Sequence, residues 1–423
     1  MIDLTDLDRF AHGFPHEVFR RLRRDAPLWF HPATPHTPGG EGFWVVSRHA
    51  DMVAVAGDPQ TFSSESGGGR SGGGTLIEDL PAGFASGVLL NMMDDPRHQR
   101  FRRLAMGSVS ARALAAVESE LRDRTAAIVD AVVERGRCDF LIDVAAELPL
   151  QAVARLLGVP QADRHRLLAW ANATLDYDGR ELGETDERTW AASAAMLEYG
   201  TWLIGEKRAR PADDMLSAVV HGRIDDGDGA SAPPNDLELQ MFFNLLIAAG
   251  SETTLNSLAL GLLALIEHPE QWDALRGERA LLPIAVEEIL RWASSTAYNR
   301  RTATRDAVLH GQTIRAGDKV TLWWSSANRD EDVFTDPFRF DVRRQPNRHL
   351  AFGYGNHFCL GAMLARLEIR LVLDALLDRV ERCALAGPVE WTRSNKHTGL
   401  RHMPVTLGAA GERRRRTPTA PTS

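Results

Sequence analysis

The sequence predicts a mainly α-helical fold with a minor β region. Apolar residues recur at spacings of three and four between Asp94 and Ala209, as in Leu121, Ile128 and Val132, or Val144, Leu148, Val153 and Leu156. That is the period of a helix face. A longer apolar stretch, Met241 to Ile266, follows Asn235 and Glu238, which stand three residues apart as a variant of the capping box. Strand-like segments are few: Gly42 to Ser47 (GFWVVS) and Val308 to Trp324 (VLHGQTIRAGDKVTLWW), enough only for a small sheet.

In chain order, a short helix from Pro15 to Asp25 is followed by a proline-rich loop. The GFWVVS strand rests on aromatic and β-branched residues, and a helix begins near His49. Residues 63–75, SSESGGGRSGGGT, lack the GK[ST] ending of a phosphate cradle and read as a flexible loop. Leu76 to Leu90 mixes apolar residues with Pro81 and Gly83. It reads as an irregular loop that presents side chains to a ligand. Helices then dominate from Asp94 to Ala209, and Asp225 to Pro234 is a polar connection. The helix capped by Asn235 runs to about Glu267, on the order of 50 Å at 1.5 Å per residue. Another helix carries Pro283 in its first turn. Residues 327–350 are irregular, and the glycine-rich 352–358 leads into a helix from Leu360 to about Arg379. There is no internal repeat. One domain over 1–410 is expected, with a disordered basic tail, GERRRRTPTAPTS, over 411–423.

A formal net charge of −8 argues against a general nucleic-acid binder, which needs a cationic face. The three cysteines, Cys138, Cys359 and Cys383, form neither a disulfide framework nor a CxxC zinc pair. The opening residues MIDLTDLDRFAHGF are acidic where a signal peptide is basic. The stretch 241–266 is interrupted by Gly250, Ser251, Glu252, Thr253, Thr254 and Asn256, so a buried helix is expected rather than a membrane span. A cytoplasmic location and a monomer are the expectation.

Four motifs carry chemistry. In FGYGNHFCLG, 352–361, Gly353 and Gly355 permit tight turns before Cys359, and Gly361 opens a helix whose N–H groups stabilise a thiolate. Such a thiolate suits iron ligation; alone, the motif reads equally well as a buried loop cysteine. In AAGSETT, 248–254, Gly250 and Thr253 weaken and bend the helix. A groove at Ala249 and Gly250 then admits a diatomic ligand, beside Glu252 and Thr253 as a proton-relaying acid–alcohol pair. The alternative is an ordinary kinked core helix. In EEILR, 287–291, Glu288 and Arg291 share a helix face; a surface pair is the bland reading, and a buried pair needs a further partner such as Arg344 in FDVRRQ. In DDPRHQRFRR, 94–103, His98 and Arg102 share a face and suit the carboxylates of a porphyrin, to which Arg301 and His357 contribute. A solvated basic helix is the bland reading.

In order and spacing, AGxET, ExxR, the downstream arginine and FGxGxHxCxG resemble the cytochrome P450 superfamily, in its soluble bacterial, actinobacterial-type class, from about Phe14 to Leu407. The resemblance implies a triangular helical prism with heme b between two helices. It implies Cys359 as proximal ligand, with Phe352, Gly353 and Gly361 around it, and Thr253 with Glu252 in oxygen activation. It makes Glu288, Arg291 and Arg344 a structural triad. It makes His98, Arg102, Arg301 and His357 propionate contacts; Arg300 is an adjacent rival to Arg301, which directly precedes the TAT segment. The implied reaction inserts one atom of O2 into a C–H bond, by hydroxylation or epoxidation.

No flavin or nicotinamide fingerprint is present, so electrons from NAD(P)H are expected through a ferredoxin and its reductase. Arg97, Arg103, Arg112 and Arg366 offer them a basic docking face; a merely solvated helix face is the equal alternative. The pocket is expected to use Leu76, Ile77, Phe84, Val88, Leu89, Ala248 and the stretch Thr296, Ala297, Tyr298 and Asn299, mostly apolar and suited to a hydrophobic small molecule. Natural-product biosynthesis is the expected setting. The alternative is catabolism of sterols, terpenoids or branched lipids. Two rivals are a peroxide-using heme-thiolate enzyme and a heme sensor. Retention of Glu252 and Thr253 argues against the first, and the lack of an output module against the second.

Overall fold

The computed structural model describes residues 2–175, 187–225 and 231–410. The expected tail, 411–423, lies outside them. Helices run, in chain order, α1 His16–Asp25, α2 His49–Ala56, α3 Arg97–Met106, α4 Ala111–Arg135, α5 Glu147–Leu157, α6 Arg164–Leu175, α7 Glu187–Ala209, α8 Met215–Val220, α9 Asp236–Glu267, α10 Pro269–Gly277, α11 Leu282–Ala293, α12 Trp324–Ala327 and α13 Ala362–Arg379. Strands are β1 Leu28–His31, β2 Phe43–Val46, β3 Phe62–Ser63, β4 Gly72–Gly73, β5 Leu80–Pro81, β6 Arg137–Asp139, β7 Ile224–Asp225, β8 Ser231–Ala232, β9 Asn299–Ala303, β10 Ala307–Leu309, β11 Gln312–Ile314, β12 Lys319–Leu322, β13 Val380–Leu385, β14 Glu390–Trp391, β15 Leu400–His402 and β16 Pro404–Ala409.

α9 is the axis of the molecule. The expected capping box is formed: Asn235 Oδ1 accepts from the Glu238 N–H, and Glu238 Oε2 accepts from the Asn235 N–H at 2.8 Å. The C-terminal half of α9 packs Leu258, Leu262 and Leu265 into one core with α4, α11 and α13. Its N-terminal half packs Phe242 and Phe243 into a second core with α3, α5, α7 and α8. By length and hydropathy α9 could cross a bilayer, but 67% of its most apolar window is buried inside the protein, as for a core helix.

α9 is continuous from Asp236 to Glu267, and the expected back-bond of Thr253 to Ala249 O is formed. Gly250 also answers to a crossing: a Cβ there would lie 2.5 Å from Val153 Cγ2 of α5. Glycine lets the two helices approach, at a modest cost in helix propensity.

The main sheet has the order β1-β2-β12-β9-β3. β2 and β12 are parallel, with Val320 opposite Trp44, and the other neighbours are antiparallel. A third apolar core lies under this sheet, built on Phe19, Phe43, Tyr298 and Trp323. A separate sheet, β13-β16-β6, has no counterpart in the sequence reading, nor has α10. These segments are short, and their partners are distant in sequence, so local periodicity carries little trace of them.

The glycine-rich segment 63–75 departs from the expected flexible loop. β4 pairs with β5, and Arg70 clamps the segment. Its guanidinium donates to both Glu41 oxygens at 2.7 and 2.6 Å and also pairs with Asp79. Arg300 donates to Asp79 at 2.7 Å, and Lys319 lies 3.3 Å from both acids. Composition gave the segment freedom, and one arginine removes it. Arg70 chiefly holds Glu41 below its ordinary range against burial. For Asp79 burial is opposed, and outweighed, by Arg70, Arg300 and Lys319. Depressed carboxylates stabilise above their unfolded pKa of about 4 and lose that contribution as pH falls through the lower folded values. Arg70→Ala is therefore expected to speed proteolytic cleavage within 63–80 at neutral pH, with the difference from the parent shrinking as the solution is acidified below about pH 4. Equal cleavage at pH 7 would remove the clamp.

Candidate active site

The Cys359 loop is built by turns. Gly353 and Gly355 take positive φ of 70° and 74°, and a Cβ on Gly355 would lie 2.5 Å from Ala56 O of α2. The Cys359 N–H donates to Phe352 O at 2.9 Å, which closes the loop. Arg366 on α13 stacks 4.6 Å from the Phe352 ring and donates to both Glu287 oxygens at 2.7 and 2.8 Å. Gly361 caps α13. Burial pushes the Cys359 thiol up, while the Gly361 N–H and the charges of Arg102 and Arg366 act the other way. Cys359 is nonetheless exposed. A group surrounded by protein yet accessible sits on the wall of an interior cleft.

One turn of α9 is also partly open. Ala249 is exposed and Thr253 half-buried, while Ser251, Glu252 and Thr254 are buried. Leu360, beside Cys359, packs against the core that contains Ile247 of α9. Thr253 Oγ1 donates to Ala249 O at 3.2 Å. Its hydroxyl proton is thereby occupied, and the oxygen remains an acceptor.

A basic group gathers at one end. The His98 and His357 rings stack with centroids 4.0 Å apart. Arg102 Nη2 donates to Phe358 O at 2.5 Å. Arg301, almost fully buried, is drawn down to about 10 by burial. His357 is drawn down to about 2 by burial and then by Arg301, His98 and Arg102. Two arginine charges thus stand beside two imidazoles, with Asp95 against His98 at 3.2 Å as a nearby acid. An anionic group with two carboxylates would pair with those charges. Arg300 lies elsewhere, buried against Asp79, which separates the two rival arginines. A thiol on a cleft wall, an apolar turn of helix and a cluster of donors fit heme b.

Glu288, Arg291 and Arg344 come together. Arg291 donates to both Glu288 oxygens at 2.7 Å, and Arg344 Nε donates to Glu288 Oε1 at 3.2 Å. Glu288 and Arg291 are 0% exposed. Asn347 Nδ2 at 3.1 Å and the Asp341 N–H at 2.9 Å complete the carboxylate. Neither Asn347 nor Asp341 was signalled by the sequence.

The expected substrate pocket is only partly formed. Ile77, Ala297 and Tyr298 are 2%, 1% and 1% exposed and belong to the core under the main sheet. The Tyr298 hydroxyl accepts from the Ile77 N–H at 3.3 Å, and Asn299 Oδ1 accepts from Trp324 Nε1 at 2.8 Å. These four are structural here. Strand β9 claims Asn299, and the aromatic packing around Trp323 claims Tyr298. Phe84 is 57% exposed. Leu76, Val88, Leu89, Ala248 and Thr296 are half-buried and stay available. Of the expected docking arginines, Arg97 pairs with Glu238 and Arg366 with Glu287, so internal carboxylates take their charge. Arg103 and Arg112 are exposed.

The sequence also missed His397. Its Nδ1 lies 3.9 Å from Glu252 Oε1, brought there by a segment with no recognisable motif.

The chain is similar to known proteins over most of its length. The family model described as Cytochrome P450 matches residues 128–383. Cytochrome P450 126 of Mycobacterium tuberculosis is 49% identical over 407 residues, covering 96% of this chain and 97% of that protein. A steroid C26-monooxygenase of Rhodococcus jostii is 37% identical over 409 residues, 95% of this chain and 84% of the relative. The solved structure of Mycobacterium marinum cytochrome P450 CYP268A2 in complex with pseudoionone matches with a TM-score of 0.87 and 34% identity, over 96% and 98% of the two chains.

Proposed function

The chain belongs to the cytochrome P450 family, and from that premise we propose that it inserts one oxygen atom into a hydrophobic small molecule in natural-product biosynthesis. It is a monooxygenase that uses heme b, O2 and electrons from NAD(P)H delivered by redox partners. The observation that carries the site assignment is Cys359, accessible on the wall of an interior cleft at the start of α13. Held there, thiolate-ligated heme iron supplies reductive activation of O2 and oxidation of a C–H bond.

The chain's own residues do the rest. Cys359 and the Gly361 N–H hold the proximal side. His98, Arg102, Arg301 and His357 bind the carboxylates. Thr253 and Glu252 hold protons beside Ala249, at the partly open turn of α9. Leu76, Val88, Leu89 and Ala248 supply apolar contact, and Thr296 a polar one. Ferredoxin and its reductase are the proposed partners, met by the face that carries Arg103 and Arg112, and the protein works as a cytoplasmic monomer. A second reading, side-chain oxidation of a sterol, terpenoid or branched lipid, is favoured by the likeness to the steroid C26-monooxygenase.

The test is an absorption spectrum of the reduced protein under carbon monoxide, then titration with natural products and sterols. A strongly red-shifted Soret band supports Cys359 ligation; a histidine-type band overturns it. Ligands that drive the ferric iron high-spin decide between the two substrate readings. In turnover with ferredoxin, Thr253→Ala is expected to consume NAD(P)H at a comparable rate but lose about tenfold or more in product, with peroxide released instead. Equal product per NAD(P)H in variant and parent would remove Thr253 from proton delivery.

A further inference from the structure

The segment Thr392–Leu400 straps across α9 beside Glu252. The Leu400 N–H donates to Asn256 Oδ1 at 2.9 Å. Gly399 is needed at the crossing, because a Cβ there would lie 2.5 Å from Asn256 Oδ1. The Thr398 N–H donates to Ser295 O at 2.9 Å, and Thr296 bridges His397 in antiparallel fashion. The Ser295 and Ser257 hydroxyls lie 3.3 Å apart. The strap is thus fixed to α9 and to the chain after α11, on both sides of His397. Lys396 points the other way: its Nζ donates to Tyr298 O at 2.6 Å and lies 4.7 Å over the Tyr298 ring.

We propose that His397 is a positioning residue for Glu252, holding its carboxylate beside Thr253 for proton delivery during oxygen activation. The inference rests on the monooxygenase reading. His397 Nδ1 stands 3.9 Å from Glu252 Oε1, beyond a direct hydrogen bond but within reach of a small ring rotation or one bridging water. The ring is neutral: burial first, and then the charge of Lys396, draw it down to about 3. Lys396 is itself drawn down to about 7 by burial and Arg301. His397 therefore orients Glu252 as a neutral partner and not as a counter-ion. In the coupled reaction RH, O2, two electrons from NAD(P)H and two protons give ROH and H2O. When protons are delivered wrongly, O2, the same two electrons and two protons leave as H2O2, and RH is unchanged.

The test uses the holoenzyme with a ferredoxin system and pseudoionone as probe, comparing parent, His397→Phe and His397→Gln. Peroxide released per NAD(P)H is expected to rise about threefold in the Phe variant, with most of the change reversed in the Gln variant. Without substrate, the infrared stretching band of carbon monoxide on the reduced protein is expected to shift in the Phe variant and return towards the parent in the Gln variant. Adding His397→Phe to Glu252→Gln is expected to cause no further loss, as for a residue that acts only through the other. Parent-like peroxide yield and an unmoved band in the Phe variant, or fully additive losses in the double variant, overturn the proposal alone. A parent without the thiolate-type band overturns the monooxygenase reading together with it.

Discussion

Cys359→Ser is expected to abolish the red-shifted carbon monoxide band and all NAD(P)H-driven product formation. A serine oxygen at this position is a harder and weaker ligand than a thiolate, and the electron push that favours O–O cleavage goes with it. The loop itself should survive. Its closure depends on the backbone bond from the Cys359 N–H to Phe352 O and on Arg366 between Phe352 and Glu287, none of which needs sulfur. The decisive pair of measurements is therefore the spectrum and the thermal midpoint. A folded variant without the band supports ligation by Cys359. A variant that keeps the thiolate-type band sinks the assignment.

Glu288→Ala is expected to be strongly destabilising. It removes a carboxylate that accepts from Arg291, Arg344, Asn347 and the Asp341 N–H and leaves the Arg291 guanidinium buried without its counter-charge. Breaking a buried pair by deleting one partner costs about 3–5 kcal/mol, a large share of the roughly 5–15 kcal/mol that holds a typical domain together. The readouts are soluble yield, heme content and urea midpoint. Glu288→Gln keeps the shape and loses the charge, so it separates the two contributions. A stable holo-protein from Glu288→Ala would count against the triad as an anchor.

Much of the fold was legible because its signals are local. The Asn235–Glu238 cap, the helix after Pro283 and the turn before α13 are each written within a few residues. The candidate site was legible for the same reason wherever a motif is compact, as at 248–254 and 352–361. What failed were inferences across sequence distance. Leu76 to Leu90 and Thr296 to Asn299 read alike as apolar lining, yet packing around Trp323 turned Ile77, Ala297 and Tyr298 into core. Nothing in the sequence announces that Val153 crosses α9 at Gly250. His397 and the clamp of Arg70 on Glu41 and Asp79 depend on contacts between remote segments, and a lysine, a histidine or an arginine in a loop carries no mark of its partner.

The parallel pairing of β2 with β12 has a consequence for synthesis. Thr321 Oγ1 donates to Trp44 O across 277 residues of chain. At about 5–20 residues per second on the ribosome, strand FWVV waits roughly 15–55 s for this neighbour. β1 can cover one edge of FWVV early, but the other edge stays open through most of translation. The nascent chain therefore carries an adhesive apolar strand near its start until its last quarter emerges, which is the interval in which a chaperone would matter most.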